Sequence, residues 1–428
     1  MNTLLSAHYI LRYFTPIQVF MTPYLIQVKR FTNHEVSNLI YPCFFISTFV
    51  TSIIGMFIVG IIGNKNTLIL DTFIELVGYL VCFCAPARHF RKIQCFAILR
   101  GMSSALGILA KGVLYTPNSN AGDRSDRYSQ YNLIKKNAGV LASWIGQELV
   151  FGTGTHQTNL YFSILSTILA FILALFISDK TGIKKENVIR FNFLELVTKL
   201  KKIYTKKIIL FSLLNISASS LYVCFSIYSS NVFQDRRKSS SSFVMGKLLY
   251  YISYPLREFG RFFIYLIGAF DPAIQYSPKY DEKILIHGYI NGLSRLCSAV
   301  LAHFIRYKKN ELRETICLTL GVIFILMIFT YLLGCNFSLF NSYLIYICGY
   351  TLGLSGLILS HGGLNEKTDI LHIILGINLC IDSLIHIGIS YYTKKNCTTV
   401  SRKVYYYFCV NTVLLGCACA LSFSILKN

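Results

Sequence analysis

Windows of about 20 apolar residues, the length that an α-helix needs to cross roughly 30 Å of hydrocarbon, recur along the whole chain. This pattern constrains the fold strongly, because such helices must be surrounded by lipid or by one another. The composition agrees, since 54% of the 428 residues are hydrophobic and 14% are charged, against about 25% charged residues in an ordinary soluble domain. We predict an all-α membrane protein with twelve transmembrane helices, at 4–27, 41–63, 67–86, 93–115, 133–152, 159–178, 208–229, 284–305, 315–335, 338–362, 370–392 and 404–426.

The placement of Lys and Arg between these spans predicts the orientation. With a cytoplasmic amino terminus, the inside connections carry about twice as many Lys and Arg residues as the outside connections, as the positive-inside rule requires. Two Asn-x-Ser/Thr sequons, at Asn336 and Asn396, then lie outside, where glycosylation occurs. We therefore predict a multi-pass integral membrane protein with both termini in the cytoplasm.

A Lys-rich segment at 179–207 divides the predicted spans into six and six. We predict an amino-terminal bundle at 1–178, a basic cytoplasmic linker and a carboxyl-terminal bundle at 208–428, which is the layout of the major facilitator architecture. The net charge of +22 could indicate nucleic-acid binding, but most basic residues lie between spans, so we expect the bilayer as partner and no nucleic acid. Apolar residues at helical spacing in 191–207 favour a helix on the anionic inner leaflet over a solvated linker.

An insert at 230–283 interrupts the second bundle. It contains two apolar runs separated by Pro255, Arg257, Glu258 and Arg261, and neither run alone reaches a spanning length. We interpret them as interfacial or re-entrant helices. A hairpin that crosses twice would keep the topology, whereas a single crossing would move both sequons inside.

Signatures of several enzyme classes are absent from the sequence. There is no Gly-x-x-x-x-Gly-Lys-Ser/Thr phosphate loop, no His-Glu-x-x-His and no plausible nucleophile triad. The 14 cysteines are scattered, and pairs such as Cys82 and Cys84 lack the spacing of a zinc site. The prediction is a gradient-driven transporter rather than an enzyme, with no cofactor and no metal.

The polar, proline-broken stretch from Thr15 to Pro42 resembles the opening of the reduced folate and thiamine carriers, which are vitamin carriers of the major facilitator superfamily. Gln18 and Leu39 depart from the family pattern, which usually has Glu at both positions, the first of them pointing into the substrate cavity. The matching residues are Pro16, Phe20, Thr22, Pro23, Tyr24, Leu25, Thr32, Val36, Ile40, Tyr41 and Pro42.

Weaker similarity continues through the first half, around Gly146 and Gln147, and returns in a patch near 372–392. There, the run from Leu375 to Asn378 resembles the family's Phe-Gly-Val-Asn-Thr-Phe. The resemblance implies a vitamin transporter, expected in the plasma membrane, that works by alternating access around a midplane site. It also implies polar residues lining that site, namely Gln18, Tyr24, Gln147 and Asn378.

Ionisable groups within spans indicate the charge of the substrate, because each is costly in hydrocarbon and usually faces a cavity or a partner. Arg100 and Lys111 are eleven residues apart, which places them on one helical face. Gly107 lies on the same face, at a position where the family usually has Glu. The acidic positions of the family are thus replaced by Gln18 and Gly107, and bases flank the second, which favours an anion over the cation thiamine.

Each of these bases also has a structural alternative. Lys111 could neutralise Asp71 or Glu75 in the third span. Arg100 could extend outward to the interface or pair with Glu148 in the fifth span. The sequence leaves both alternatives open.

His386 in the eleventh span is a candidate for substrate binding and proton coupling. Asp382 lies one turn before it, so the two side chains can meet, and a nearby carboxylate favours the protonated ring. Counting from Gly376, His386 falls where reduced folate carriers have Lys and thiamine carriers have Gln. The alternative is a histidine that only packs between helices.

These features predict a secondary-active vitamin transporter that moves an anionic, folate-like substrate, coupled to a counter-anion or to protons. Arg100, Lys111 and His386 would be its charge partners. Thiamine or thiamine phosphate is the alternative substrate, and a non-transporting membrane receptor or degenerate paralogue is the alternative function.

Overall fold

The computed structural model describes residues 3–110, 121–177, 204–236, 286–307, 312–335, 338–364, 371–395 and 400–426, and all regular secondary structure in these ranges is helical. The main α-helices of the described ranges, in chain order, are α1 (Thr3–Tyr13), α2 (Met21–Gln27), α3 (Tyr41–Cys84), α4 (Phe90–Leu109), α5 (Ala121–Thr153), α6 (Gln157–Phe176), α7 (Lys206–Val223), α8 (Ser229–Arg236), α9 (His287–Tyr307), α10 (Leu312–Gly334), α11 (Leu339–Leu364), α12 (Leu371–Lys395) and α13 (Val400–Leu426).

The first predicted span is broken rather than continuous. Between α1 and α2 the chain forms a short 3-10 turn, Pro16–Gln18. Pro16 has no N–H to continue a helix, and the N–H of Ile17 donates instead to Ser163 Oγ of α6 at 3.0 Å. The break exposes the Gln18 side chain to the centre of the bundle, so the prediction of one helix over 4–27 was wrong in detail.

The second and third predicted spans form one long element, α3, with a sharp bend at Gly63. The φ of Gly63 is 80°, in the left-handed region that only glycine adopts readily. The connection predicted between these spans is therefore reduced to this bend. It brings Asp71 and Glu75, on the second arm of α3, back toward the middle of the bundle.

All twelve predicted spans overlap helices. Seven helical stretches of the described residues are long and apolar enough to cross a membrane, and Asn33–Cys84, which holds the second and third predicted spans, is one of them. Their outer faces carry large apolar side chains, as expected of helices in contact with lipid. Examples are Ile54, Leu165, Phe176, Phe324, Val413 and Phe423.

Two helix pairs join the amino-terminal half, α1–α6, to the carboxyl-terminal half, α7–α13. In the first pair, α5 lies against α9, and a Cβ at Gly292 would overlap the Trp144 ring. In the second pair, α3 lies against α12, where a Cβ at Gly376 would overlap Met56. Small residues let these backbones approach closely, and a cavity lies between the two seams.

The three-part division at 179–207 stays a prediction. Residues 179–203 of the linker and 237–283 of the insert lie outside the described residues. The start of the predicted insert is described: α7 continues through a π-helical turn, Cys224–Tyr228, into α8, which ends at Arg236.

Candidate functional site

A cavity of about 450 Å³ lies between the two halves. Helices α1 to α5 line it from the amino-terminal half, and α7, α8, α9, α11 and α12 from the other half. Five Lys and Arg residues and three Asp and Glu residues line it: Arg12, Arg100, Lys135, Lys136, Arg295, Asp71, Glu75 and Asp382. A volume of this size suits a small organic solute.

Two carboxylates on α3, Asp71 and Glu75, bind two arginines that line the cavity. Asp71 Oδ1 accepts from Arg12 Nη2 at 3.0 Å and from Ser103 Oγ at 2.6 Å. Glu75 is paired with both Arg12 and Arg100. Both carboxylates are almost fully buried, at 3% and 0% exposure, and such groups need ionic partners because each loses several kcal/mol of hydration.

Neutral groups complete this network around Glu75. Gln18 Nε2 donates to Glu75 Oε1 at 3.2 Å and to the Tyr79 hydroxyl oxygen at 3.3 Å. The Tyr79 hydroxyl donates to Glu75 Oε1 at 3.1 Å. Two arginines thus balance two carboxylates in the amino-terminal half.

The structure gives Arg100 a different partner from those considered in the sequence. Its guanidinium pairs with Glu75 and lies 5.3 Å from the centroid of the Tyr79 ring. It does not pair with Glu148, which accepts a hydrogen bond from the Tyr289 hydroxyl. Arg100 still lines the cavity, where it could contact a ligand, but its charge is already matched by Glu75.

Gly107 also lines the cavity, and it lies against Asp71. A Cβ at this position would be 2.9 Å from Asp71 Oδ2. Helical spacing along α4 could not reveal this carboxylate, because Asp71 lies on α3. Lys111, the third member of the predicted face, lies outside the described residues.

His386 and Asp382 meet as their spacing predicts. His386 Nε2 lies 3.2 Å from Asp382 Oδ1, and Asp382 Oδ2 accepts from Ser219 Oγ at 2.7 Å. The imidazole is stacked on Phe45 of α3, with ring centroids 4.3 Å apart. Nδ1 lies 2.5 Å from the Tyr407 hydroxyl. The histidine therefore contacts the opposite half as well as the cavity.

The predicted polar liners divide into two groups. Gln18 and Asn378 line the cavity. Tyr24 is fully buried in a separate core with Ile17 and Cys82. Gln147 lies in the α5–α9 seam, where its Oε1 accepts from the Gly288 N–H at 2.8 Å. The described structure thus places Tyr24 and Gln147 behind the cavity wall.

Three basic side chains at the α5–α9 seam have no carboxylate partner within the described residues. Lys135 Nζ lies 4.6 Å from the centroid of the Tyr13 ring. Lys136 Nζ donates to the Ser298 carbonyl oxygen at 3.0 Å. Arg295 Nε donates to an amide oxygen of its own helix.

Arg295 is a cavity residue that the sequence analysis missed. The signal was present, because an arginine in the middle of the predicted span 284–305 is as costly in hydrocarbon as Arg100.

The described residues contain no group of three His, Cys, Asp or Glu side chains able to hold a metal ion.

The two halves also meet at the end of the bundle that carries residues 31–41. Lys403 Nζ of α13 donates to the Ser37 carbonyl oxygen at 2.8 Å. Asn33 Nδ2 donates to the Asn231 carbonyl oxygen at 3.1 Å. These contacts join the two halves at this end of the bundle.

Comparison with known proteins identifies the fold. No protein-family model and no curated protein sequence matches the chain. The human organic anion transporter MFSD10 (TETRAN) superposes with a TM-score of 0.59 at 10% identity, covering 98% of each chain. Tetrameric PepTSo2 gives a TM-score of 0.56 at 12% identity, covering 99% of this chain and 96% of the other.

A third structure, from work on substrate recognition in proton dependent oligopeptide transporters, gives a TM-score of 0.54 at 13% identity, covering 99% of this chain and 97% of the other. The chain has the major facilitator fold. The predicted fold class is confirmed, and the prediction of a multi-pass integral membrane protein agrees with this fold and with the apolar helices. The reduced folate and thiamine carrier family, the plasma membrane and the orientation of the termini stay predictions.

Proposed function

We propose that this chain is a secondary-active carrier that moves a small organic anion by alternating access. One observation carries the proposal: Lys135, Lys136 and Arg295 line the cavity without a carboxylate partner in the described part of the chain. Desolvated cations without counter-charges are unfavourable, and an anionic substrate would supply the missing charge. That two structural neighbours are transporters of organic anions and of peptides supports a small-molecule substrate.

A folate-like vitamin is the specific substrate that we propose. The segment from Thr15 to Pro42 supports it, because that segment resembles reduced folate and thiamine carriers. Gln18, which replaces the Glu of that pattern, contributes no negative charge to the cavity. The His386 and Asp382 side chains lie 3.2 Å apart and both line the cavity, so this pair is the candidate that we propose for coupling to protons.

Thiamine is the second candidate, and a specific observation favours it. Asp71, Glu75 and Asp382 all line the cavity, so a cation could be held on the acidic side of it. The two arginines that already neutralise Asp71 and Glu75 argue against this candidate.

An uptake screen separates these candidates. Cells expressing the protein would be given radiolabelled reduced folate, thiamine or thiamine phosphates, with surface expression measured in parallel. We expect saturable uptake of the folate. Uptake of thiamine alone would replace the anion proposal, and no uptake of any of them, nor of a wider organic-anion panel, would favour a non-transporting receptor.

Alternating access can be tested where the two halves meet near residues 31–41. Asn33→Cys and Asn231→Cys together place two thiols at a hydrogen-bonded contact between the halves. A disulfide there should abolish uptake, and a reductant should restore it. Each single variant under the same oxidant is the control. Full uptake by the cross-linked double variant would contradict alternating access at this end.

A further inference from the structure

The guanidinium of Arg295 reaches the cavity with most of its donors unused. Its Nε donates to Asn291 Oδ1 at 2.6 Å, and the same oxygen accepts from Ser143 Oγ of α5 at 3.0 Å. These bonds fix the orientation of the side chain. Nη1 and Nη2 make no hydrogen bond to any residue in the described ranges, and together they form the fork that matches a carboxylate.

Among the described residues, three tyrosines and no carboxylate are the ionisable groups near Arg295. The rings of Tyr222 and Tyr350 have centroids 5.1 Å apart, and those of Tyr346 and Tyr350 are 5.4 Å apart. All three line the cavity. These separations are typical of aromatic contacts, so the three rings form a continuous aromatic wall.

The hydroxyl groups of this wall are already engaged. Tyr222 and Tyr350 share a hydrogen bond of 3.0 Å between their oxygens. The Tyr346 hydroxyl oxygen accepts from Asn291 Nδ2 at 2.6 Å. The rings are thereby held in place, and what they offer a ligand is their aromatic surface.

Gly139 of α5 makes room for the guanidinium from the opposite half. A Cβ at this position would overlap Nη1 of Arg295. Any other residue would therefore push the guanidinium away from its present position. Gly139 is thus a positioning residue, and it places the arginine at the seam between the halves.

We propose that Arg295, Tyr222, Tyr346 and Tyr350 form a subsite for an aromatic carboxylic acid. The carboxylate would accept two N–H donors from the guanidinium fork, and the planar ring would stack on the tyrosine wall. This inference rests on the proposed function, because it names the chemical class of anion that the cavity takes.

Binding to the purified protein tests the chemical class with three matched probes. Benzoate has the ring and the charge, cyclohexanecarboxylate has only the charge, and benzamide has only the ring. We expect benzoate to bind about tenfold more tightly than cyclohexanecarboxylate, as loss of an aromatic contact predicts. The margin over benzamide should be about tenfold to a hundredfold, the effect of a lost charged hydrogen bond. Equal binding of all three probes would overturn the proposal.

Variants assign the two contributions to residues. Arg295→Gln should remove the preference for benzoate over benzamide, and Arg295→Lys, which keeps the charge without the fork, should retain part of it. Tyr350→Leu should remove the preference over cyclohexanecarboxylate, whereas Tyr350→Phe, which keeps the ring, should not. Gly139→Ala should weaken benzoate binding although the arginine is unchanged. Arg91→Gln, at an exposed arginine, is the matched control.

Uptake measurements on the same variants keep this inference separate from the proposed function. If the wild-type protein transports no anion, the proposed function fails. If it transports an anion while Arg295→Gln and Tyr350→Leu leave both uptake and probe binding unchanged, only the subsite is wrong. Loss of anion uptake in Arg295→Gln, with Arg91→Gln unaffected, supports both.

Discussion

Arg100 is paired with Glu75 across the α3–α4 contact. This pairing makes Arg100 a weaker candidate for binding an anion, because its charge is already matched inside the amino-terminal half. Glu75 has Arg12 as a second partner, so the two helices and α1 are joined by a single buried carboxylate. The surplus positive charge of the cavity lies elsewhere, at Lys135, Lys136 and Arg295.

Glu75→Gln should destabilise the protein strongly. It leaves the buried guanidinium of Arg12 and the half-buried guanidinium of Arg100 with one carboxylate between them, and breaking a buried pair in this way typically costs about 3–5 kcal/mol. The unfolding temperature of the purified protein in detergent measures the effect. Glu314→Gln, at an exposed position, is the control for loss of one negative charge.

The double variant Glu75→Gln and Arg100→Gln distinguishes pairing from simple loss of a side chain. It removes one cation with the carboxylate, while Arg12 keeps Asp71. We expect it to recover most of the stability lost in the single variant, since the two effects are not additive for residues in contact. A double variant that is less stable than Glu75→Gln would show that the pair does not stabilise the fold.

Gly107→Glu should reduce anion uptake. The Cβ of the new side chain would lie 2.9 Å from Asp71 Oδ2, and its carboxylate would add negative charge to the cavity. A change of one charged contact is worth about 1.5–3 kcal/mol, roughly tenfold to a hundredfold in affinity. Uptake of labelled folate at equal surface expression is the measurement, with thiamine uptake measured in parallel.

Gly107→Gln is the matched control for this substitution, because it has almost the same size without the charge. A smaller loss in Gly107→Gln than in Gly107→Glu would assign the difference to electrostatics. Equal losses would show that crowding against Asp71 explains the effect, and unchanged uptake in both would remove Gly107 from the binding site.

The predicted topology can be checked independently of transport. Residues 179–203, Asn336 and Asn396 lie outside the described residues, so the orientation rests on the placement of Lys and Arg. An epitope within 179–207 should bind antibody only after the cells are permeabilised. Replacing Asn336 or Asn396 by Gln should remove any attached glycan. Antibody binding to intact cells would show that 179–207 is outside and that the predicted orientation is wrong.

Hydropathy was sufficient to predict the helices, because spanning length is set by the bilayer and leaves a clear pattern in the sequence. It could not predict how the elements are joined. The break at Pro16 and the bend at Gly63 depend on local backbone geometry, and the N–H of Ile17 finds its acceptor, Ser163, in a helix that is distant in sequence.

The site was predictable only in part, for a physical reason. Helical spacing identifies residues on one face, so the Asp382 and His386 contact was predicted correctly. Contacts between helices carry no such period. The pairing of Arg12 with Asp71 and the position of Arg295 over Gly139 therefore required the structure.

Anion uptake should depend on the side chain at His386. Within the described residues, its ring lies 3.2 Å from Asp382 Oδ1 and 2.5 Å from the Tyr407 hydroxyl oxygen, and the neutral Phe45 ring covers one face. If the imidazole supplies a contact that the anion needs, His386→Gln should lower anion uptake by roughly tenfold or more, the effect of a lost hydrogen bond to a charged group. Initial uptake rates at equal surface expression test the prediction.

Two further substitutions separate the charge of this side chain from its packing. His386→Lys keeps a positive charge without the ring and should preserve the preference for anions. Asp382→Asn keeps the histidine and removes a negative charge from the cavity wall, so it should not weaken anion uptake as His386→Gln does. Unchanged uptake in His386→Gln would show that the ring serves only to pack α12 against Phe45.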